Sequence, residues 1–185
     1  MSVVALYDAN VLYPSTLRDV LIRVGVAQLV RPKWSDQILD ETFRNLQANR
    51  PDLGAEQLQR TRDLMNSALR DVLVTGHQGL IGTLDLPDPD DRHVLAAAIT
   101  GGAKVIVTKN LRDFPASALA PYGLIAEHPD DFLVGLVQEH LTVVATIADA
   151  IARTWKNADP EIVLKSLTVE APRAAELIRD GLASM

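Results

Sequence analysis

Residues 86–114, LPDPDDRHVLAAAITGGAKVIVTKNLRDF, constrain the fold more than any other part of the chain. Four carboxylates, Asp85, Asp88, Asp90 and Asp91, precede an apolar helical run, Val94-Leu95-Ala96-Ala97-Ala98-Ile99, which Gly101-Gly102 closes. The β-branched run Val105-Ile106-Val107 then reads as a buried strand, followed by Thr108, Asn110 and Asp113. Asp91 thus falls at a helix start and Asp113 just beyond the carboxyl end of a strand. Ligands of open α/β sheets bind outside the carboxyl ends of strands. Carboxylates gathered there from separate elements suit a hard divalent cation, which takes oxygen ligands. Helix capping alone would also place an Asp at position 91, so the rest of the chain has to decide.

The amino terminus repeats the arrangement. Val3-Val4-Ala5-Leu6-Tyr7 reads as a buried strand that ends at Asp8, followed by Asn10 and a turn at Tyr13-Pro14-Ser15. Ser15 or Thr16 is expected to cap a helix running to about Ala27, with Leu17, Val20, Leu21 and Val24 on one face. Residues 29–34 predict a second short strand, broken by Pro32. Ser35 then caps a helix, SDQILDETFRNLQANR, that carries Glu41 and ends at Pro51. A third amphipathic helix is expected over 54–74. Residues 76–84 fit either a strand or a short helix, and 123–126 predict a last strand. Alternating strands and helices through residue 126 imply a parallel sheet between helices, an α/β fold.

From about Pro129 the strand signal ends. Helical patterns cover 130–140, 142–156, roughly 160–166 and 171–183, with Pro160 and Pro172 at first helical positions. The expected organisation is a domain over 1–128 and an all-helical extension over 129–185. Phe132, Leu133, Leu136, Val137, Val144, Ile147, Ile151 and Trp155 recur at helical spacing and need a surface to bury against, expected to be the helices of the sheet domain.

Composition narrows the class. The chain lacks cysteine, which excludes a disulfide framework or thiolate site and fits a cytoplasmic protein. The amino terminus has no basic region of the signal-peptide kind, and no apolar run approaches 18 residues, so no membrane partner is expected. The net charge of −6 argues against nucleic acid only superficially. Residues 126–185 hold 10 of the 24 acids and 5 of the 18 bases, so most of the excess lies in the extension. That charge would repel RNA, and the extension is not expected to form a substrate groove.

Four carboxylates on four elements, Asp8, Glu41, Asp91 and Asp113, are therefore expected to converge. Without a cation they would repel one another, and some would be forced to protonate. Mg²⁺ or Mn²⁺ would relieve that repulsion and can activate a water for attack on phosphorus. Glu41 has an alternative fate as a solvated helix acid beside Arg44 or Asn45. Thr108 and Asn110 are expected to orient Asp8 or a water, and Asn10 to fix its loop through side-chain to backbone hydrogen bonds. Arg18, Arg92, Lys109 and Arg112, with Arg23, Arg60 and Arg62, are the candidates for phosphate contacts. His93 is expected on a helix face, because Mg²⁺ disfavours imidazole.

The segments YDANVLYPS, SDQILDETFRNL, LPDPDDRHVLAAAI and VIVTKNLRDFP, in that order over residues 3–126, resemble the PIN-domain nucleases, specifically the VapC-type toxin ribonucleases of bacteria. The resemblance implies a doubly wound parallel sheet, a divalent-metal site and endoribonuclease activity. It also implies a cognate antitoxin protein as partner, and a homodimer is a further expectation. On the family's pattern Asp8, Glu41, Asp91 and Asp113 are the catalytic set, with Asp8, Asp91 and Asp113 on the metal. Asp88 and Asp90 compete with Asp91 for the third position, which Asp91 takes because it immediately precedes the helical run. Some relatives carry Asp where this chain has Asn110, which leaves the acid role to Asp113. Two other readings remain in view. An aspartate-based phosphohydrolase also begins with a strand and an Asp, but normally carries a second Asp where Asn10 stands. An inactive RNA- or protein-binding module would not need all four acids.

Overall fold

The computed structural model describes residues 2–155 and 159–184. The apolar run Val3–Tyr7 is β1, and Asp8 caps a one-turn helix, α1 (Ala9–Leu12). After the turn at Pro14 comes α2 (Ser15–Val26). Neither Ser15 nor Thr16 caps it. Pro14 occupies the cap position, and the Thr16 hydroxyl instead meets Ser166 Oγ at 2.7 Å. β2 (Val30–Ser35) runs unbroken through Pro32. The proline is tolerated because the neighbouring strand pairs with β2 only at Trp34 and Ser35, so no ladder has begun beside Pro32 on that side.

Ser35 caps α3 (Asp36–Asn49) through a 3.2 Å bond from Ile38 N, as the sequence predicts. The helix expected over 54–74 is shorter. α4 (Ala55–Ala68) stops at Leu69, and Leu73–Val74 form the two-residue strand β3. A strand this short leaves no periodic signal, and pairing with Trp34 and Ser35 creates it. The ambiguous piece that follows is helical, α5 (Gln78–Ile81). α6 (Arg92–Thr100) and β4 (Val105–Val107) match the apolar runs that define them. The short α7 (Ala116–Leu119) leads to β5 (Ile125–Glu127), one to two residues later than the expected last strand.

All four strand pairings are parallel, in the order β3-β2-β1-β4-β5. The chain winds outward from β1 to β3, then returns to β4 on the other side of β1. The order therefore reverses between β1 and β4, and a crevice opens outside their carboxyl ends. Trp34, Tyr7 and Phe114 are among the largest fully buried side chains of the core.

The extension comprises α8 (Pro129–Thr154), α9 (Pro160–Thr168) and α10 (Pro172–Ala183). The two helices expected over 130–140 and 142–156 are one helix interrupted at His140, whose φ of −139° and ψ of 40° are non-helical. The final residue of that expected span, Lys156, lies outside the described residues. By length and composition α8 could cross a membrane, which corrects the reading that no apolar stretch approaches that length. Its apolar face is nonetheless buried, and it packs on α2, α9 and α10. Phe132 meets the Tyr7 ring edge-on, with centroids 6.2 Å apart. Sheet, flanking helices and extension share one continuous apolar cluster, so the extension docks on the sheet domain's own helices.

Candidate metal centre

The register of the central strands builds the site. Tyr7 pairs with Val107, and the Asp8 amide donates to the Val107 carbonyl at 3.1 Å, which brings Asp8 beside Thr108. Asp8 is 5 % exposed, and both its oxygens are engaged. Oδ1 accepts from Ala9 N at 2.7 Å, while Oδ2 accepts from Asn10 Nδ2 at 2.7 Å and from Thr108 Oγ1 at 2.8 Å. Asn10 in turn accepts from the Lys109 amide at 2.9 Å, and the Asn110 amide donates to Thr108 Oγ1 at 3.0 Å. Asn10, Thr108 and Asn110 thus form one network that fixes Asp8 at the switch point. Asn110 also donates through its side chain to Asp113 Oδ2, so its neutral amide steadies the neighbouring acid.

The segment before α6 supplies the other carboxylates. Asp88 caps a single 3-10 turn over Pro89–Asp91 by accepting from Asp90 N at 2.9 Å. Asp91 is the cap residue of α6, yet its side chain makes no capping bond. Its Oδ2 is buried with no hydrogen-bond partner. Capping therefore does not account for this acid. One oxygen each of Asp88, Asp91 and Asp113 lie within 4.8 Å of one another. Two ligands on opposite sides of Mg²⁺ stand about 4.2 Å apart, so the three need only small side-chain rotations to share one cation. Asp88 and Asp91, competitors for the third position in the sequence, both stand in the group, while Asp90 stays outside it and contributes its amide to the turn; Asp88 and Asp90 are both exposed.

The charges confirm that the acids share one field. Burial raises the Asp8 pKa, the bonds from Thr108 and Ala9 N lower it, Glu41 raises it and His93 lowers it. Asp91 is pushed up to about 6, chiefly by burial and then by Asp8, Asp88, Asp113 and Glu41. A buried oxygen without a donor, beside two further carboxylates, fits a divalent cation held by oxygen ligands.

Glu41 on α3 lies, like Asp8, outside the Asp88–Asp91–Asp113 group but close enough for its charge to act on Asp8 and Asp91, and His93 Nε2 lies 3.7 Å from its Oε2. His93 is buried, with Nδ1 lacking a partner, so its role beside Glu41 is more specific than a place on a helix face. The sequence offered no signal for this pairing beyond the position of His93 two residues after Asp91.

The candidate phosphate-binding cations are dispersed. Arg18 donates to the carbonyls of Leu12 and Tyr13, Arg23 pairs with Asp19, and Arg62 is held by Asp36 and Asp40. Arg92 lies 3.5 Å from Asp85 Oδ1. Arg60 and Arg112 are exposed, with no ion pair among the described residues. Lys109 pairs with Glu170, in the turn between α9 and α10. The extension therefore approaches the site at one point despite its charge, a contact between residues too distant in sequence to be read from it.

Comparison with known proteins bears on the family and the fold. Seventy-seven residues are 49 % identical to a protein of Mycobacterium tuberculosis (strain ATCC 25618 / H37Rv) described as "Putative ribonuclease VapC50", an alignment that covers 42 % of this chain and 44 % of that protein. The match thus spans less than half of the relative's length. No solved structure matches the chain significantly. The family model of the PIN domain matches residues 4–112, which include nearly all of β1, β2 through β4, Asp8, Glu41, Asp88, Asp91 and the Thr108–Asn110 turn, while Asp113 lies one residue beyond the match. On that match and on the parallel sheet with its acidic switch point, the chain belongs to the PIN domain family.

Proposed function

We propose that the protein is a divalent-metal-dependent endoribonuclease, the toxin of a toxin–antitoxin pair, acting in the cytoplasm on RNA and restrained by a cognate antitoxin protein. The unpartnered, buried Asp91 Oδ2 beside Asp88 and Asp113 is the observation that carries this reading. The 49 % identity to a protein described as a ribonuclease supports RNA as the substrate class. We assign the chemistry to residues 1–128 and treat 129–185 as a docked helical extension.

In this reading Asp91 and Asp113 hold Mg²⁺ or Mn²⁺, joined by Asp88, with Asp8 fixed alongside by Asn10, Thr108 and Ala9 N. A cation bound there would supply Lewis-acid stabilisation of charge at the scissile phosphate and would acidify a water. Glu41, with His93 Nε2 3.7 Å from its carboxylate, would be the general base. Lys109 and Arg112, on the turn after β4, and Arg92, which follows Asp91 and lies 3.5 Å from the exposed Asp85, are the candidates to position flanking phosphates, while Arg18 is engaged by the Leu12 and Tyr13 carbonyls.

The aspartate-based phosphohydrolase reading is weaker. A covalent aspartyl-phosphate requires a free nucleophilic oxygen and an acid two residues on, whereas here Asn10 donates to Asp8. The test is cleavage of cellular RNA, with ends mapped by sequencing, by wild type and Asp8→Asn protein. Cleavage lost in a folded Asp8→Asn variant supports the ribonuclease reading; undiminished cleavage rules it out.

A further inference from the structure

Lys109 is the cation closest along the chain to the Asp8 network, because its amide is bonded to Asn10. Among the described residues its ammonium forms no ion pair with Asp8 or Asp91. It is turned toward Glu170 of the extension, with the two side chains 33 % and 19 % exposed. The turn that carries Glu170 is braced on both sides. Ser166 Oγ meets Thr16 Oγ1 on α2, Arg179 of α10 forks onto Glu161 of α9 at 2.9 and 3.0 Å, and Asp130 of α8 accepts from Ala174 N at 2.9 Å. The carboxylate is thus presented to Lys109 by a docked scaffold and not by a loose tail.

We propose that Glu170 is a substrate-selecting residue: it occupies Lys109 as a built-in anion, and an RNA phosphate has to displace it to gain that contact. This rests on the ribonuclease reading. Lys109 can neutralise one phosphate of a strand entering the acidic crevice, but only after its pair with Glu170 opens. Such a pair is partly exposed and individually weak, which allows exchange with a multiply charged ligand. Weak or short ligands with few phosphates gain too little elsewhere to displace the carboxylate, whereas a strand making several contacts does. The extension, acidic overall, would then filter ligands at a single point while keeping its remaining surface away from RNA.

The test measures binding of a mixed-sequence single-stranded RNA by fluorescence anisotropy across a salt series. Proteins carry Asp8→Asn to prevent cleavage, alone or with Glu170→Gln, Lys109→Ala or both. Glu170→Gln is expected to tighten binding about two- to fivefold, the worth of one exposed ion pair. It should also steepen the salt dependence by about 0.7, one phosphate contact on a single strand. Both effects should vanish in the Lys109→Ala background. Unchanged or weaker binding by Glu170→Gln, or a gain that persists without Lys109, overturns the proposal. A melting temperature recorded for each variant identifies a purely structural Glu170, which would lower it without any coupling to Lys109, and that result also overturns the proposal. Glu170→Asp, which keeps the charge, is expected to bind as the parent does. If the parent and every variant fail to bind RNA, the ribonuclease reading falls, and this inference with it.

Discussion

Thr108 donates a 2.8 Å hydrogen bond to Asp8 Oδ2 from a position one hundred residues further along the chain. The contact follows directly from sheet register, since Tyr7 pairs with Val107 and the next residue of each strand leaves the sheet on the same side. Thr108 is fully buried and also accepts from Asn110 N, so it ties the two halves of the acidic crevice together. Replacing Thr108 with Val should cost about 1–3 kcal/mol, the range for a buried hydrogen bond to a charged group. Because that bond lowers the Asp8 pKa, its loss should also raise the value further. Urea denaturation of Thr108→Val against wild type checks the first expectation, and equal stability would contradict it.

Asp91 makes stability depend on pH in a defined direction. Its folded pKa of about 6 lies above the ordinary 3.8, so the folded chain binds more protons than the unfolded chain between those values. Stability therefore rises as pH falls through about 6 towards about 4, and a charged Asp91 destabilises the metal-free protein at neutral pH. Asp91→Asn should be the more stable protein at pH 7 in EDTA, with the advantage fading by about pH 4. Thermal melts at both pH values measure this; a less stable variant at pH 7 would contradict the assignment.

Asp130 joins the extension to itself. It is 5 % exposed and accepts from Ala174 N and Arg173 Nε, each at 2.9 Å. Asp130→Ala leaves a buried amide without its partner and should cost about 1–3 kcal/mol. Binding of Mn²⁺ should be unaffected, because Asp130 stands outside the Asp88–Asp91–Asp113 group and spends its oxygens within the extension. Chemical denaturation paired with a Mn²⁺ titration separates the two effects.

Much of this arrangement is legible in the sequence where one local pattern suffices. β1 and β4 are compact apolar runs, and the acids that follow them break the pattern abruptly. Ser35 and Pro160 announce helix starts through local chemistry. What depends on distant partners is not legible. β3 exists because Leu73 and Val74 meet Trp34 and Ser35, and its two residues leave no period of their own. Thr16 looks like a cap but serves as a partner for Ser166. Asp88 joins the inner carboxylate group only because the Pro89–Asp91 turn folds it back beside Asp91. His93 meets Glu41, and Glu170 meets Lys109, across separations that no spacing rule spans.

If carboxylates from separate elements share one divalent cation at the end of β1 and β4, removing one of them must weaken the binding of that cation. Calorimetric titration of Mn²⁺ into wild type and Asp91→Asn protein tests it most directly. Saturable binding by wild type, weakened in Asp91→Asn by more than the roughly 10- to 100-fold that an outer-shell partner is worth, is the predicted result. Equal affinity in the two proteins, or no saturable binding to wild type at millimolar Mn²⁺, would contradict the account.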